Sequence, residues 1–519
     1  MKILSLFCAV LLLPVLFFAG CGKAPSSGAA QASSTARESV TISYYYALHP
    51  SNTEEHFADD SPGLTQLREK TGVTIKWQLT PGANTQLVTE AFNLLMASGD
   101  IPDVVCGDPN TMLKLYPQAW LTVDTIVKAN PQRYPNLNKY IFENDYLMKY
   151  MPDADGHVRY IPMLATRRIG SLLITRQDLL TKYGLKDPVT LDDWHTALTR
   201  AKQDGKIPYM TRSQRAGILT GLLDGYLDSV KEDYFEEDGK IKYGVLDPRL
   251  KEGIEIARKW YAEGLIDPEY PSTQTTRWWE AVTRGDVFCT FDNIQRLPAA
   301  NLEFMNANAS YRMTGIPPML SPRTGKQRTT NHYPTVRDRS SAISINAKNP
   351  ERILDMFEYC YSDEGFILMN FGVENISFTY VDGVPRLDPD FAQKVTDGII
   401  KHPTTTVDMP KRQKDELYYD YNTDREDHVS LRAARDVFAN GDFIRENWIQ
   451  SLSFTDEERA ALNPILADIN TYRSEMLDKF IMGIEPMSNW DAFVARIQKM
   501  NLQTTIDIYQ KALDRLLKK

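Results

Sequence analysis

Cysteine is scarce, with five in 519 residues. Cys8 and Cys21 sit in the N-terminal segment, and the remaining Cys106, Cys289 and Cys360 cannot all pair within one chain. That excludes a disulfide scaffold. Each of the three lies among apolar neighbours and is expected as a small buried side chain. Positive charge is not in excess: 59 Lys and Arg against 68 Asp and Glu leave a net charge of −9, with no basic stripe for nucleic acid. Beyond residue 20 no stretch is long and apolar enough to span a bilayer. A zinc-like His/Cys spacing and an HExxH are both missing, so neither a metal nor a cofactor is expected.

What is present begins at the N-terminus. Lys2 gives one positive charge, an apolar run follows from Ile3 to Phe18, and Ala19-Gly20 puts small residues before Cys21. That order reads as a secretory signal, and the run is short for a membrane span. With cysteine at the cut it resembles a bacterial lipoprotein signal, in which the thiol is acylated and the leader removed. Phe18 departs from the Leu usual there, and a secreted protein with a chance cysteine is the competing reading. Residues 1–20 are thus the expected leader and Cys21 the expected lipidation site. Residues 21–39, rich in Ser, Ala and Gly, form an expected flexible tether. About 480 residues remain, enough for two or more domains outside the cytoplasm.

From residue 40 the pattern alternates strand and helix. Residues 40–46 are β-branched and aromatic and read as a strand. Residues 64–70 suit a short helix closed by Gly72, and 73–79 a second strand. Residues 85–97 place Leu87, Val88, Ala91, Phe92, Leu94 and Leu95 at helical spacing before Gly99. Residues 103–106 form a short strand leading into Gly107-Asp108-Pro109-Asn110. This succession predicts an α/β fold with a mostly parallel sheet covered by helices on both faces. Ligands of open sheets collect beyond the carboxyl ends of the strands, which puts Tyr45, Tyr46, Asp108 and Asn110 on the functional rim. A second α/β unit follows: a strand over 171–175, a helix stopped by Gly184, a helix capped by Thr190 or Asp192, an amphipathic helix over 251–264, a helix over 277–284 and a strand over 287–291 ending at Asp292-Asn293. Residues 350–371 read as one or two helices, and the C-terminal stretch as strongly helical.

The stretch Leu95-Met96-Ala97-Ser98-Gly99-Asp100-Ile101-Pro102-Asp103-Val104 resembles the helix-to-strand signature of family 1 extracellular solute-binding proteins, the receptors of carbohydrate ABC importers. Asp155-Gly156-His157-Val158-Arg159-Tyr160-Ile161-Pro162 is similar to that family's hairpin before the first interlobe crossing, and Leu172 to Gly184 to the strand and helix that follow. Glu237-Asp238-Gly239-Lys240 and Lys259 to Pro268 resemble its large lipoprotein branch, which includes binders of oligosaccharides such as alginate. Ile343-Ser344-Ile345-Asn346, Glu364-Gly365, Phe371-Gly372-Val373-Glu374, Phe480-Ile481-Met482-Gly483 and Trp490-Asp491 continue in order. The resemblance implies a two-lobe, class II periplasmic-binding-protein-like fold with a helix-rich second lobe. Residues 40–168 with 312–348 would form the first lobe and 169–311 with 349–519 the second. It further implies a monomer that closes on a saccharide and has ABC permease subunits as partners.

Sugars present hydroxyls around apolar C–H faces, so their sites combine aromatic platforms with planar polar side chains. Trp278 and Trp279 are the platform candidates. Adjacent helical positions diverge by about 100°, so one indole can pack into the core while the other faces the cleft. Asp292 and Asn293 end a strand where the resemblance places part of the second-lobe wall; a plain turn is the alternative. Some relatives carry an aromatic just beyond, where Ile294 and Gln295 stand here. Arg167 and Arg168 lie at the first crossing, where a guanidinium binds hydroxyls or a carboxylate unless it pairs across the lobes. One of Tyr45 and Tyr46 is expected to pack inward and the other to reach the rim. Glu374 is a further candidate, with a structural hydrogen-bonding role as its alternative. Asp153-Ala154-Asp155-Gly156 mimics the start of a calcium loop, but Leu164 stands at the twelfth position, where a glutamate is required, so a hairpin turn is expected. A glycosidase needs only two carboxylates facing a sugar. A secreted glycan-active hydrolase and a peptide-binding or adhesion lipoprotein therefore stand as alternatives to binding without turnover.

Overall fold

Local chemistry sets the first helix, Pro62–Thr71: Ser61 accepts from the Leu64 amide, Pro62 opens the first turn, and Gly72 ends it at φ 69°. The helix Leu191–Gln203 starts on a capping box between Thr190 and Asp193, the first of the two expected caps. The computed structural model describes residues 39–518 except 49–53, 82–84, 111, 166–169, 294–296, 298–299, 302–311, 331–334, 389, 392–393, 395–408, 414–441 and 444–447. Cys21, Arg167 and Arg168 lie outside the described residues.

The strands in chain order are β1 (Val40–Ala47), β2 (Val73–Thr80), β3 (Val104–Gly107), β4 (Tyr160–Ala165), β5 (Ser171–Arg176), β6 (Ile207–Tyr209), β7 (Tyr234–Glu237), β8 (Lys240–Tyr243), β9 (Val287–Asn293), β10 (Met313–Ile316), β11 (Val336–Ile343), β12 (Phe378–Val381), β13 (Val384–Leu387) and β14 (Arg412–Gln413). They build a six-stranded sheet in the order β14-β4-β11-β3-β1-β2, a four-stranded sheet in the order β10-β5-β9-β6, and the hairpins β7-β8 and β12-β13.

The first sheet is mostly parallel, as expected, with β11 alone reversed, whereas the second is mostly antiparallel, which corrects that expectation there. In the first, β1 runs parallel to β2 and β3, but β11 lies antiparallel between β3 and β4. In the second, β5 is antiparallel to β9 and β10, and only β6 and β9 are parallel. The chain leaves the first sheet at the end of β4 and returns at the start of β11. A strand that re-enters at the end where another left must run the opposite way.

Each sheet has its own core. The first gathers Tyr44, Tyr46, Val104, Trp120, Ile161 and Phe357; the second gathers Trp194, Tyr209, Leu222, Trp260, Phe288 and Phe480. Two parts of the expected lobe division are corrected by this packing. Residues 312–348 do not all belong to the first lobe, because β10 pairs with β5 and Met319 buries in the second core. Residues 349–519 do not all belong to the second, because the helices Pro350–Tyr361 and Asp363–Phe371 bury Ile353, Phe357, Tyr361 and Met369 in the first core. β14 likewise sits on the edge of the first sheet. The helices Asp456–Met482, Trp490–Lys499 and Leu502–Lys518 pack into the second core through Leu477, Phe480, Phe493, Ile497 and Leu513. Cys106, Cys289 and Cys360 are buried thiols outside any disulfide, and burial pushes those of Cys289 and Cys360 up to about 12.

Candidate functional site

Strand direction decides which ends of the two sheets are linked. β4 ends at Ala165 and β5 begins at Ser171, while β10 ends at Ile316 and β11 begins at Val336. Val336 pairs with Leu164 and Ile316 with Leu173, so both connections join the same end of one sheet to the same end of the other. On the first sheet that end carries the carboxyl termini of β1, β2 and β3, hence Ala47, Thr80 and Gly107-Asp108. On the second, Asn293 pairs with Ser171 and β6 runs alongside β9, which brings Asp292, Asn293 and the residues just after Tyr209 to the linked end.

There Asp292 is buried, and its oxygens are engaged within the protein. Oδ2 accepts from Arg212 Nε at 2.5 Å, and Oδ1 from Arg212 Nη2 at 3.1 Å and the Asn293 amide at 2.6 Å. The hydrogen bond to Asp292 raises the Arg212 pKa above the usual arginine value, against the opposing effect of burial. The guanidinium lies 5.5 Å from the centre of the Trp278 ring. Trp278 is 1 % exposed and donates Nε1 to Thr290 Oγ1 at 2.9 Å, so it is a core residue that supports Arg212. Trp279 is half-buried, its ring centred 5.6 Å from that of Trp278. The two indoles divide between core and surface, as the helical angle predicts.

The loop after β6 is held from both ends. Tyr209 Oη donates to the Gly217 carbonyl at 2.5 Å, and Thr211 Oγ1 accepts from the Ser213 amide at 3.0 Å. A Cβ on Gly217 would collide with Thr211 Oγ1. Gln214 sits at φ 52°, the left-handed region, at a cost of about 1–2 kcal/mol for a residue with a side chain.

The first-sheet candidates fare differently. Tyr45 is 2 % exposed and Tyr46 0 %, so neither ring reaches the rim, which corrects that expectation. Tyr46 packs against Phe57 and Trp77, and Tyr45 Oη accepts from Thr80 Oγ1 at 3.1 Å. Asp108 stands past the end of β3 and accepts the Asn110 amide at 2.9 Å; Asn110 is exposed. Glu374 is exposed in the loop before the β12–β13 hairpin, bridged to Phe378 and apart from the Asp292 group. The calcium-like turn is closed by its own chain: Asp153 Oδ1 accepts the Asp155 and His157 amides, and Oδ2 accepts Arg159 Nε at 2.6 Å. Among the described residues no cluster of His, Cys, Asp and Glu is arranged to hold a metal ion.

Sequence reasoning missed Arg212 and Arg339. Arg339 donates to the Ala47 carbonyl at 2.7 Å and lies 4.7 Å from the Tyr46 ring centre. The available signal for Arg212 was its position three residues past Tyr209, the last residue of β6, the same strand-end rule that selected Asp108. A surface hollow of about 560 Å³ lined by Arg176, Lys182, Asp204, Lys206 and Arg312 lies at the opposite end of β5, away from the linked ends.

Residues 51–365 match the family model described as bacterial extracellular solute-binding protein. The chain is 24 % identical over 526 residues to the fructooligosaccharide ABC transporter substrate-binding protein FusA of Streptococcus pneumoniae serotype 4 (strain ATCC BAA-334 / TIGR4), covering 92 % of this chain and 91 % of that protein. It is 24 % identical over 386 residues to lipoprotein LipO of Bacillus subtilis (strain 168), covering 72 % of this chain and 73 % of LipO. The solved structure of the alginate-binding protein AlgQ2 without calcium ion superposes with a TM-score of 0.74 at 21 % identity, over 92 % of this chain and 98 % of that one. The fold is therefore the two-lobe α/β arrangement. With the family model matching more than half of its length, the chain belongs to the bacterial extracellular solute-binding proteins.

Proposed function

We propose that this protein is a receptor that closes its lobes over an oligosaccharide and presents the closed form to the permease of an ABC importer, without chemical turnover. The observation that carries this reading is the group at the linked end of the second sheet. Arg212 offers a donor directed past Asp292, and the half-buried Trp279, whose ring lies 5.6 Å from that of Trp278, offers an indole one residue from the ring beneath it. The ligand classes in the names of FusA and AlgQ2, fructooligosaccharide and alginate, support a saccharide. Closure needs contacts from both lobes, because a ligand shifts the open–closed balance only by its differential affinity for the two forms. Asp108, Asn110 and Arg339 are the first-lobe candidates, and Arg167 and Arg168 the candidates at the crossing. Trp278 acts from behind Arg212, and Tyr45, Tyr46 and Glu374 are left to structural roles. The N-terminal signal and Cys21 point to an extracytoplasmic, lipid-anchored protein on a tether, a reading supported by the likeness to the lipoprotein LipO, and the family resemblance to a monomer.

The test is label-free thermal unfolding of the full chain in mild detergent against neutral and acidic oligosaccharides. A ligand present at one hundred times its Kd stabilises the native state by about 2.7 kcal/mol. A rise in Tm confined to one glycan class is expected. Folded protein that responds to no saccharide would sink the proposal and bring peptides forward. For the anchor, Cys21→Ser is expected to move the protein from the membrane fraction to the soluble one, and unchanged membrane retention would refute lipidation there.

A further inference from the structure

We infer that Arg212 reads the ligand from the second lobe, and that its pairing with Asp292 suits it to a neutral, hydroxyl-bearing sugar unit and not to a uronate. This rests on the receptor reading above. Asp292 takes Nε and Nη2 of the guanidinium, while no described residue takes Nη1. The Arg212 side chain is 34 % exposed and that of Asp292 2 %, so one edge of the fork is turned into the protein and the other outward. The outward edge is held in place. Trp278 lies beneath the guanidinium and is fixed by Thr290, and the loop carrying Arg212 is tied through Tyr209 to Gly217 and through Thr211 to Ser213. A donor fixed before binding loses less conformational freedom when the ligand arrives.

Charge then decides the chemistry. The buried carboxylate of Asp292 cancels the charge of Arg212, so the pair presents a directed N–H donor with little net charge. A sugar hydroxyl oxygen accepts such a donor well. A ligand carboxylate at the same place would gain less from the guanidinium and would be repelled by Asp292. Gln214 is exposed two residues on and supplies an amide that donates and accepts, matching hydroxyls better than carboxylates.

Isothermal titration of the full chain in mild detergent tests this, using neutral oligosaccharides (fructo-, xylo-, manno- and malto-series) and oligogalacturonates, with Arg212→Lys and Asp292→Asn beside the parent. Arg212→Lys keeps a cation against Asp292 but loses the planar fork that aims an N–H outward while two others stay on the carboxylate. Its affinity for the neutral ligand is expected to fall by about ten-fold while the unliganded melting temperature stays near that of the parent. Asp292→Asn leaves the guanidinium charge uncancelled and is expected to shift preference toward oligogalacturonate. A parent that binds a neutral oligosaccharide while Arg212→Lys binds it equally well overturns the inference and leaves the receptor reading standing. A parent that prefers oligogalacturonate overturns the assignment to a neutral sugar. A folded parent that binds neither kind overturns the receptor reading, and this inference with it.

Discussion

Consecutive aromatic residues occur in both lobes, Tyr44-Tyr45-Tyr46 on β1 and Trp278-Trp279 on the helix Thr275–Thr283, and the fold treats them differently. All three tyrosines are at most 2 % exposed, whereas Trp278 is buried and Trp279 only half so. β1 is an interior strand between β2 and β3 of a sheet covered on both faces, so alternating side chains all enter a core. The helix lies on one face of the second sheet and buries a single stripe. Alternation predicts exposure only where one face is open. Ring clusters and ion pairs between distant segments bind both lobes, the second through Tyr234 with Tyr509 and Phe480 with Trp490 and the first through Arg133 with Asp355. Rings of Tyr44, Tyr46, Phe57 and Trp77 interlock in the first. In the second, ion pairs join distant segments: Arg215 with Glu232 and Asp478, Arg249 with Glu237, and Arg212 with Asp292.

The largest effects come from the rings. Tyr46→Ala and Trp278→Ala are each expected to cost about 3–5 kcal/mol, and Trp279→Ala about 1 kcal/mol, in urea unfolding. Equal losses at the two tryptophans would erase the contrast between core and surface. Next, Arg215→Met takes the shared buried cation from Glu232 and Asp478, leaving Glu232 with Arg473 at 3.6 Å, and is expected to cost about 3 kcal/mol. The half-exposed Arg133, paired with Asp355 against the first core, is expected to cost less than about 1 kcal/mol when replaced by Met. A reversed order would mean that burial of the cation is not what sets the strength of these pairs.

Gly217→Ala comes third, at about 1–3 kcal/mol, because the new methyl meets Thr211 and displaces the loop that carries Arg212. Calorimetry showing parental stability together with parental sugar affinity would refute that tight fit. The smallest effect is with pH. Hydrogen bonds from Arg249 and then Lys242 hold the Glu237 carboxyl down at about 2, below its ordinary 4.5. A carboxyl depressed by folding stabilises above its unfolded pKa, and this contribution fades as pH falls from about 4.5 toward 2. After solvent screening it amounts to about 1 kcal/mol. Glu237→Gln is therefore expected to flatten the stability profile in that window, lying about 1 kcal/mol below the parent near neutrality and converging with it toward pH 2; an equally steep acid limb in the variant would assign the slope elsewhere.

Much of the element order was legible in the residues themselves. The glycine stop at Gly72 and the threonine cap at Thr190 act over a few residues, and such signals survive any tertiary context. Sheet direction and lobe membership were not legible, because nothing in the composition of residues 312–371 marks where the chain passes between cores. The candidate site was legible in part. Asp292 and Asn293 do end their strand at the linked end, but the role of Asp292 depends on Arg212, 80 positions earlier, brought beside it by the parallel pairing of β6 and β9. That register is a tertiary outcome. Tyr45 and Tyr46 were misread because a strand shows its period in the sequence but not whether its outer face is covered.

The interleaving of the two cores has a consequence for how the molecule comes into being. The ribosome delivers β1 to β4 first, yet β11, the helices Pro350–Tyr361 and Asp363–Phe371, and Met409 complete their core, after the chain has already supplied β5 to β10 to the other. The segment from β1 to β4 thus waits, its apolar surfaces unsatisfied, for partners made more than 150 residues after β4 ends at Ala165. Long-range closure of this kind is slow and leaves the growing chain open to wrong partners. A nascent chain halted anywhere short of β11 would be a poor candidate for a stable fragment, and it would stay extended long enough to be threaded through a narrow pore.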